Sequence, residues 1–130
     1  MNRRTLSITA ALFLLPLSGC VSHQKPAIAS TETASVEFER FYAAWHQECE
    51  AIRYSSNTHD YIELPDYRKI VLMGQPALPL LEKKLSEDRA DDFMLADAVV
   101  EICGWNRRDF SSKSEQEFRD DVLKKLKASQ

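Results

Sequence analysis

The feature that most constrains the fold is a helix-to-helix corner in residues 73–85, Met-Gly-Gln-Pro-Ala-Leu-Pro-Leu-Leu-Glu-Lys-Lys-Leu. Gly74 follows an apolar run, and glycine readily takes the left-handed conformation that closes a helix. Pro76 comes two positions later and presets the first turn of a second helix, where a backbone N–H has no intrahelical partner. The stretch therefore predicts two helices joined by a tight turn.

Apolar residues recur at helical spacing elsewhere in the chain. The longest such face lies in residues 36–54, with Ser35 as its N-cap. One further helix is predicted to begin after Pro65, another to end at Gly104, and a third to begin after Ser114, where Glu117 completes a capping box. Residues 55–63 have the composition of a loop. The predicted core consists of Phe38, Phe41, Tyr42, Trp45, Cys49, Ile52, Tyr67, Ile70, Val71, Met73, Leu78, Leu81, Leu85, Phe93, Ala96, Val99, Val100, Cys103, Phe118, Val122 and Leu126.

Length and composition fit one small helical domain. The chain has 130 residues and only three glycines, which argues against a turn-rich β-sandwich or barrel. We predict an all-α domain of about five helices, short ones included, over residues 36–130. Residues 20–35 are rich in Ser, Thr and Ala without periodicity, which predicts a flexible tether.

The N-terminus has the pattern of an export signal. A basic start with Arg3 and Arg4 precedes an apolar run that is too short to span a bilayer, and residues 17–20 read Leu-Ser-Gly-Cys. These four residues resemble the lipobox of bacterial lipoproteins. The resemblance implies that residues 1–19 are a signal peptide, that the chain is cut before Cys20, and that Cys20 carries covalent lipid.

The lipobox also implies a location. Val21 follows Cys20, and the absence of an Asp there implies sorting to the outer membrane, facing the periplasm. Several acyl chains together give durable anchoring to a bilayer. The alternative interpretation is an ordinary signal peptide that happens to contain a cysteine.

A second resemblance covers about forty residues around the corner. The pattern in residues 74–81, Leu85, residues 96–102 and Gly104 resembles one HEAT-type helical hairpin. The stretch from Pro65 also resembles small uncharacterised bacterial proteins, with Cys103 at a position where those have Thr. The resemblance implies a fold rather than a reaction. Since one hairpin cannot bury its own face, we expect the helices at 36–54 and 114–128 to cap it on either side.

Cys49 and Cys103 form an even pair in a domain predicted to be exported, which is the usual setting for a disulfide. Such a bond would tie the first helix to the hairpin and stabilise the fold by about 4 kcal/mol. The alternative is two thiols that pack as small apolar side chains.

Few polar residues suggest chemistry. His46, Cys49 and Glu50 lie within one helical turn, but no second cluster completes a metal site, so we predict no metal and no cofactor other than lipid on Cys20.

Trp105, Arg107 and Arg108 are the first choice for a partner contact, because Trp and Arg are enriched in binding hot spots. The alternative is a Trp tucked under the hairpin beside solvated arginines.

Charge and motif content together suggest a binding protein. Without residues 1–19 the chain has 15 basic and 20 acidic side chains, a net charge of −5, which disfavours nucleic acid as a partner. We expect an envelope lipoprotein that binds another envelope protein and is not an enzyme. The alternatives are a periplasmic immunity or inhibitor lipoprotein and, from another class, a hydrolase or metal-dependent enzyme.

Overall fold

The structure is a computed structural model that describes residues 27–87, 89 and 91–130, with side chains from residue 31 onward. In these ranges the fold is all-α, as predicted, and contains no strand. Cys20 and the predicted signal peptide lie outside them. None of the described helices is both long enough and apolar enough to cross a bilayer. The helices are α1 (Ala27–Ala51), α2 (Thr58–Ile62), α3 (Pro65–Leu72), α4 (Leu78–Ser86), α5 (Leu95–Ile102) and α6 (Glu115–Ala128).

Helix α1 begins at Ala27 rather than at the predicted Val36. The predicted N-cap Ser35 is therefore wrong, and residues 27–35 of the expected tether are helical. The physical reason is that no Gly or Pro occurs between Ala27 and Ala51, and extending an existing helix costs far less than nucleating one. Residues 31–33 are exposed, so the first turns of α1 are solvated before Phe38 enters the core.

The predicted corner joins α3 to α4, with one difference in detail. Gly74 follows α3 with φ 66° and ψ −143°, a region that is essentially restricted to glycine rather than the left-handed helical region. Pro76 lies in a 3₁₀ turn, Gln75–Ala77, and α4 starts only at Leu78, with Pro79 in its first turn. The corner therefore contains an extra turn that the sequence pattern did not predict.

Helices α4 and α5 pack against each other as the predicted hairpin, and α6 packs against both. The expected cap on the other side is different. Helix α1 packs on α3 and on the Gln75–Ala77 turn, and α3 in turn packs on α5. Helix α3 therefore lies in the position that the sequence interpretation gave to α1.

The core is largely the predicted one. Helices α1, α3, α4, α5 and α6 each contribute a buried face, and aromatic rings dominate the part next to α1. The exceptions are only half-buried and lie at its edge: Phe41, Cys49, Ile52, Met73, Phe93 and Cys103. Tyr67 is buried and its hydroxyl donates to the Met94 carbonyl at 2.8 Å, which ties α3 to the start of α5.

One local element differs from expectation and another is as predicted. The predicted loop 55–63 contains the short helix α2, whose cap is Asn57, and Trp45 Nε1 donates to the Tyr61 carbonyl at 3.0 Å. At α6, Ser114 Oγ accepts from the Glu117 N–H as predicted.

Candidate functional site

A half-open depression on the described surface lies beside the C-terminal half of α1. We call it the α1 cleft. Its volume is about 280 Å³. It lies between α1, α2 and the 3₁₀ turn Asp92–Met94, and its walls include His46, Cys49, Glu50, Thr58, Tyr61 and Phe93. It is half-open, so a side chain or small group can enter from solvent.

A buried carboxylate lies behind the cleft wall. Asp92 is only 1% exposed, although a charged group is costly to bury. Its two oxygens accept the Tyr42 hydroxyl at 2.9 and 2.8 Å, and His46 Nε2 lies 3.1 Å from Oδ1. These contacts satisfy the carboxylate and join α1 to the start of α5.

The Asp92 contact fixes the tautomer of His46. Because an ionised carboxylate can only accept, Nε2 must carry the proton, and in the neutral ring Nδ1 is then the acceptor. The imidazole packs edge-on against Tyr42, with ring centroids 4.5 Å apart, and its side chain is 34% exposed. No described residue bonds Nδ1. His46, which lines the cleft, therefore keeps Nδ1 as a hydrogen-bond acceptor in this tautomer.

Cys49, on the same wall, is held as a thiol. Burial and then the charges of Asp91, Glu48 and Glu50 raise its pKa to about 11. A reactive cysteine needs the opposite environment, with a lowered pKa and a nearby positive charge. The arrangement therefore does not activate Cys49 as a nucleophile, and the same shift reports a negative field in the cleft.

Cys49 and Cys103 are both free thiols, so the disulfide prediction is wrong and the alternative of two unpaired thiols holds. Cys49 lies in the α1 cleft, whereas Cys103 lies beside Leu78 and Leu126. The reason is the placement of α3, which packs against both α1 and α5 and keeps the two cysteines on different surfaces.

Trp105 lies at a second, shallower depression of about 370 Å³, which we call the Trp105 groove; its other walls include Gln75, Pro79 and Cys103. The indole is half-buried, and Lys125 Nζ lies 4.7 Å from its ring centroid. Trp105 thus packs under the end of the hairpin and still borders an open surface.

Arg107 and Arg108 have different roles in the structure. Arg107 donates to Asp97 and, at 3.0 Å, to both carboxylate oxygens of Glu115, and its guanidinium lies 4.2 Å from the centroid of the Phe118 ring. It therefore ties α5 to α6. Arg108 is exposed as well, but only Arg107 forms these side-chain contacts to Asp97 and Glu115.

The residues considered as metal ligands, His46, Cys49 and Glu50, all line the α1 cleft but do not form a metal site. No group of three or more His, Cys, Asp or Glu side chains in the described ranges has a metal-binding arrangement. His59 is 68% exposed and lies 4.0 Å from Glu63, outside the α1 cleft. The sequence interpretation missed Asp92 and its contact with Tyr42. The only signal in the sequence was that Asp92 is an acidic residue just before the apolar face of α5.

These features define a small all-α domain with an acidic, half-open cleft and a second, shallower groove. In comparisons with known proteins, no family model, no curated protein and no solved structure matches the chain. The function must therefore be argued from the sequence signal and the two surfaces.

Proposed function

We propose that this chain is a lipid-anchored envelope protein whose helical domain binds a partner protein. The observation that carries the proposal is the sequence Leu-Ser-Gly-Cys at residues 17–20, directly after the apolar run. Small residues before Cys20 allow a narrow peptidase cleft to bind the backbone, and acyl chains on Cys20 then hold the domain at a membrane surface.

Anchoring is tested by mass spectrometry and by fractionation of the cell. We expect the N-terminal peptide to begin at Cys20 with the added mass of lipid, and the chain to be found in the membrane fraction. Cys20→Ser should move it to the soluble or unprocessed fraction, whereas Cys103→Ser, the matched control, should not. An unmodified N-terminus at another residue would refute the anchor.

Two features support binding rather than catalysis. The Cys49 thiol is disfavoured as a thiolate, so the Cys49–His46 pair lacks the activation that a covalent mechanism requires. The α1 cleft and the Trp105 groove both combine aromatic walls with polar rims, which is the composition of surface patches that bind proteins.

Partner binding is tested by photo-crosslinking in living cells. A crosslinking residue placed at Thr58 reports on the α1 cleft and one at Gln75 on the Trp105 groove, while Lys124 on the exposed side of α6 is the control. We expect one protein to be captured from Thr58 or from Gln75 and not from Lys124. Equal labelling at all three positions, or capture of lipid alone, would contradict the proposal.

A further inference from the structure

We propose that the α1 cleft binds the side chain of one arginine or lysine that the partner protein presents. The inference rests on the proposed function, because it names the chemistry by which the partner is recognised. It is carried by four properties of the cleft: its oriented acceptor, its charge, its apolar walls and its size.

The oriented acceptor is His46 Nδ1. His46 Nε2 lies 3.1 Å from buried Asp92 Oδ1, and in the tautomer with the proton on Nε2 the other ring nitrogen, Nδ1, is a hydrogen-bond acceptor. Asp92 is itself held on the other side by the Tyr42 hydroxyl. This preorganised acceptor is independent of the rim charges, and it requires a donor on the ligand.

The charge of the cleft is negative. Glu50 and Asp91 line it, and α1 has no basic residue in its last turn to offset the partial negative charge at a helix C-terminus. Arg53 also lines the cleft, but its Nη2 donates to the Tyr54 hydroxyl at 2.7 Å and its guanidinium lies over that ring. Its contact with Glu50 is long, at 3.8 Å, and solvated, so a second cation can bind the carboxylates.

The walls and the size fit one long side chain. Phe93 and Met94 line the cleft beside Tyr61 and provide apolar surface for the methylene stem of an arginine or lysine. Aromatic faces also attract a guanidinium or ammonium group. A volume of about 280 Å³ lies at the lower end for small-molecule pockets, so it holds one side chain rather than a folded element.

The test is a titration of the full ¹⁵N-labelled chain, purified from membranes in detergent, with N-acetyl-arginine amide. N-acetyl-citrulline amide is the matched control ligand, because it has the same length without the charge. We expect saturable shifts of the amide resonances of Cys49, Thr58 and Phe93 and of the His46 Nδ1 resonance. Citrulline should bind about 5- to 10-fold more weakly, given two exposed charge contacts.

Variants separate the cleft from general surface charge. Asp91→Asn and Glu50→Gln should each weaken arginine binding about 2- to 5-fold. Glu37→Gln makes the same charge change on α1 outside the cleft and should leave the affinity unchanged. The inference is overturned if citrulline binds equally well, if the shifts map to the Trp105 groove, or if no saturable shift occurs.

The result can be told apart from a failure of partner binding itself. Capture of a protein from Gln75 with no arginine binding in the cleft would leave the proposed function in place and refute this inference. Arginine binding in the cleft with no captured protein would support the proposed chemistry of the cleft and would count against partner binding.

Discussion

Asp97 and Glu101 lie one turn apart on α5 and each is paired with an arginine, yet their carboxyl pKa values move in opposite directions. Burial raises the pKa of Asp97 more than the Arg107 contact lowers it. The Arg68 hydrogen bonds lower the pKa of Glu101, which is more exposed. The degree of burial therefore decides which effect sets the sign of the pKa shift: desolvation at Asp97 and pairing with arginine at Glu101.

These shifts predict opposite effects of neutralisation. A raised carboxyl pKa in the folded state stabilises at low pH, and this contribution is lost as the pH rises. Asp97→Asn should therefore leave the free energy of unfolding unchanged at pH 7. The variant should be less stable than wild type only near pH 3. A lowered pKa stabilises above the ordinary value, so Glu101→Gln should cost up to about 0.5 kcal/mol at pH 7, a small value because the pair is solvated.

Urea unfolding of both variants at the two pH values provides the measurement. The two substitutions control for each other, since both remove one negative charge from the same helix face. A loss of stability at pH 7 that is larger for Asp97→Asn than for Glu101→Gln would show that the Arg107 contact outweighs the cost of burial.

The Cys49 thiol gives a second prediction at this scale. With a pKa of about 11, its thiolate fraction at neutral pH is about 100-fold below that of an unperturbed cysteine. The higher intrinsic nucleophilicity of a basic thiolate offsets part of this difference. We expect alkylation by iodoacetamide about 10-fold slower than for a free peptide thiol, as followed by peptide mass spectrometry.

The rim charges should change this rate. Asp91→Asn should speed alkylation of Cys49 at pH 8, because Asp91 is the largest charge contribution to the raised pKa. Glu63→Gln, outside the α1 cleft, is the control and should leave the rate unchanged. If Asp91→Asn has no effect, burial alone protects the thiol and the negative field in the cleft is not established.

At the scale of elements, the corner after α3 depends on one backbone conformation. Gly74 has φ 66° and ψ −143°, and an added Cβ would meet no atom within 4 Å. The cost of a side chain is therefore backbone strain, and we expect Gly74→Ala to lose about 1–3 kcal/mol of unfolding free energy. Differential scanning calorimetry measures the effect as a lowered Tm.

Asparagine provides the control for the type of strain. Gly74→Asn should be almost as harmful as Gly74→Ala, because asparagine tolerates the left-handed helical region but not this one. A clear rescue by asparagine would mean that the backbone relaxes to a left-handed helical turn, as the sequence pattern first indicated.

The elements that sequence reasoning placed well are those bounded by strong local signals. Gly74, Gly104 and Ser114 mark helix ends that the structure retains. The start of α1 was misplaced because Ala, Ser and Thr give no sharp signal once a helix is already formed. The extra 3₁₀ turn at Pro76 was missed because proline at the first turn fits an α-helix and a 3₁₀ turn equally well.

At the scale of the whole molecule, the Tyr42–Asp92 contact joins parts of the chain fifty residues apart. Tyr42→Phe leaves the buried carboxylate with one of its two side-chain partners, so we expect a loss of about 2–3 kcal/mol in urea unfolding. Tyr67→Phe is the control. It removes a buried hydroxyl that donates to a neutral carbonyl and should cost about 1 kcal/mol.

A loss for Tyr42→Phe no larger than for Tyr67→Phe would contradict the special role of the carboxylate. Either outcome also bears on the α1 cleft, because Asp92 contacts His46 in its wall. The crosslinking and arginine titrations should therefore be repeated only on variants that unfold as cooperatively as wild type.

The candidate site could not be predicted from the sequence as the core could. A helical face is defined by the local spacing of apolar residues, so the buried face of α1 could be predicted from Phe38, Tyr42 and Trp45. The α1 cleft instead combines residues near 46–61 with residues near 91–94, which only the packed chain brings together. Nothing local separates Asp92, which is buried, from Asp91 next to it, which is exposed.

The early start of α1 also limits how far a lipid-anchored domain could extend from a membrane. If Cys20 is acylated, the seven peptide steps from Cys20 to Ala27 span at most about 25 Å. From Ala27 the helix then rises about 1.5 Å per residue, which puts His46 about 28 Å farther along the axis. An acylated Cys20 would therefore keep the α1 cleft within about 53 Å of the lipid surface, the sum of these two lengths.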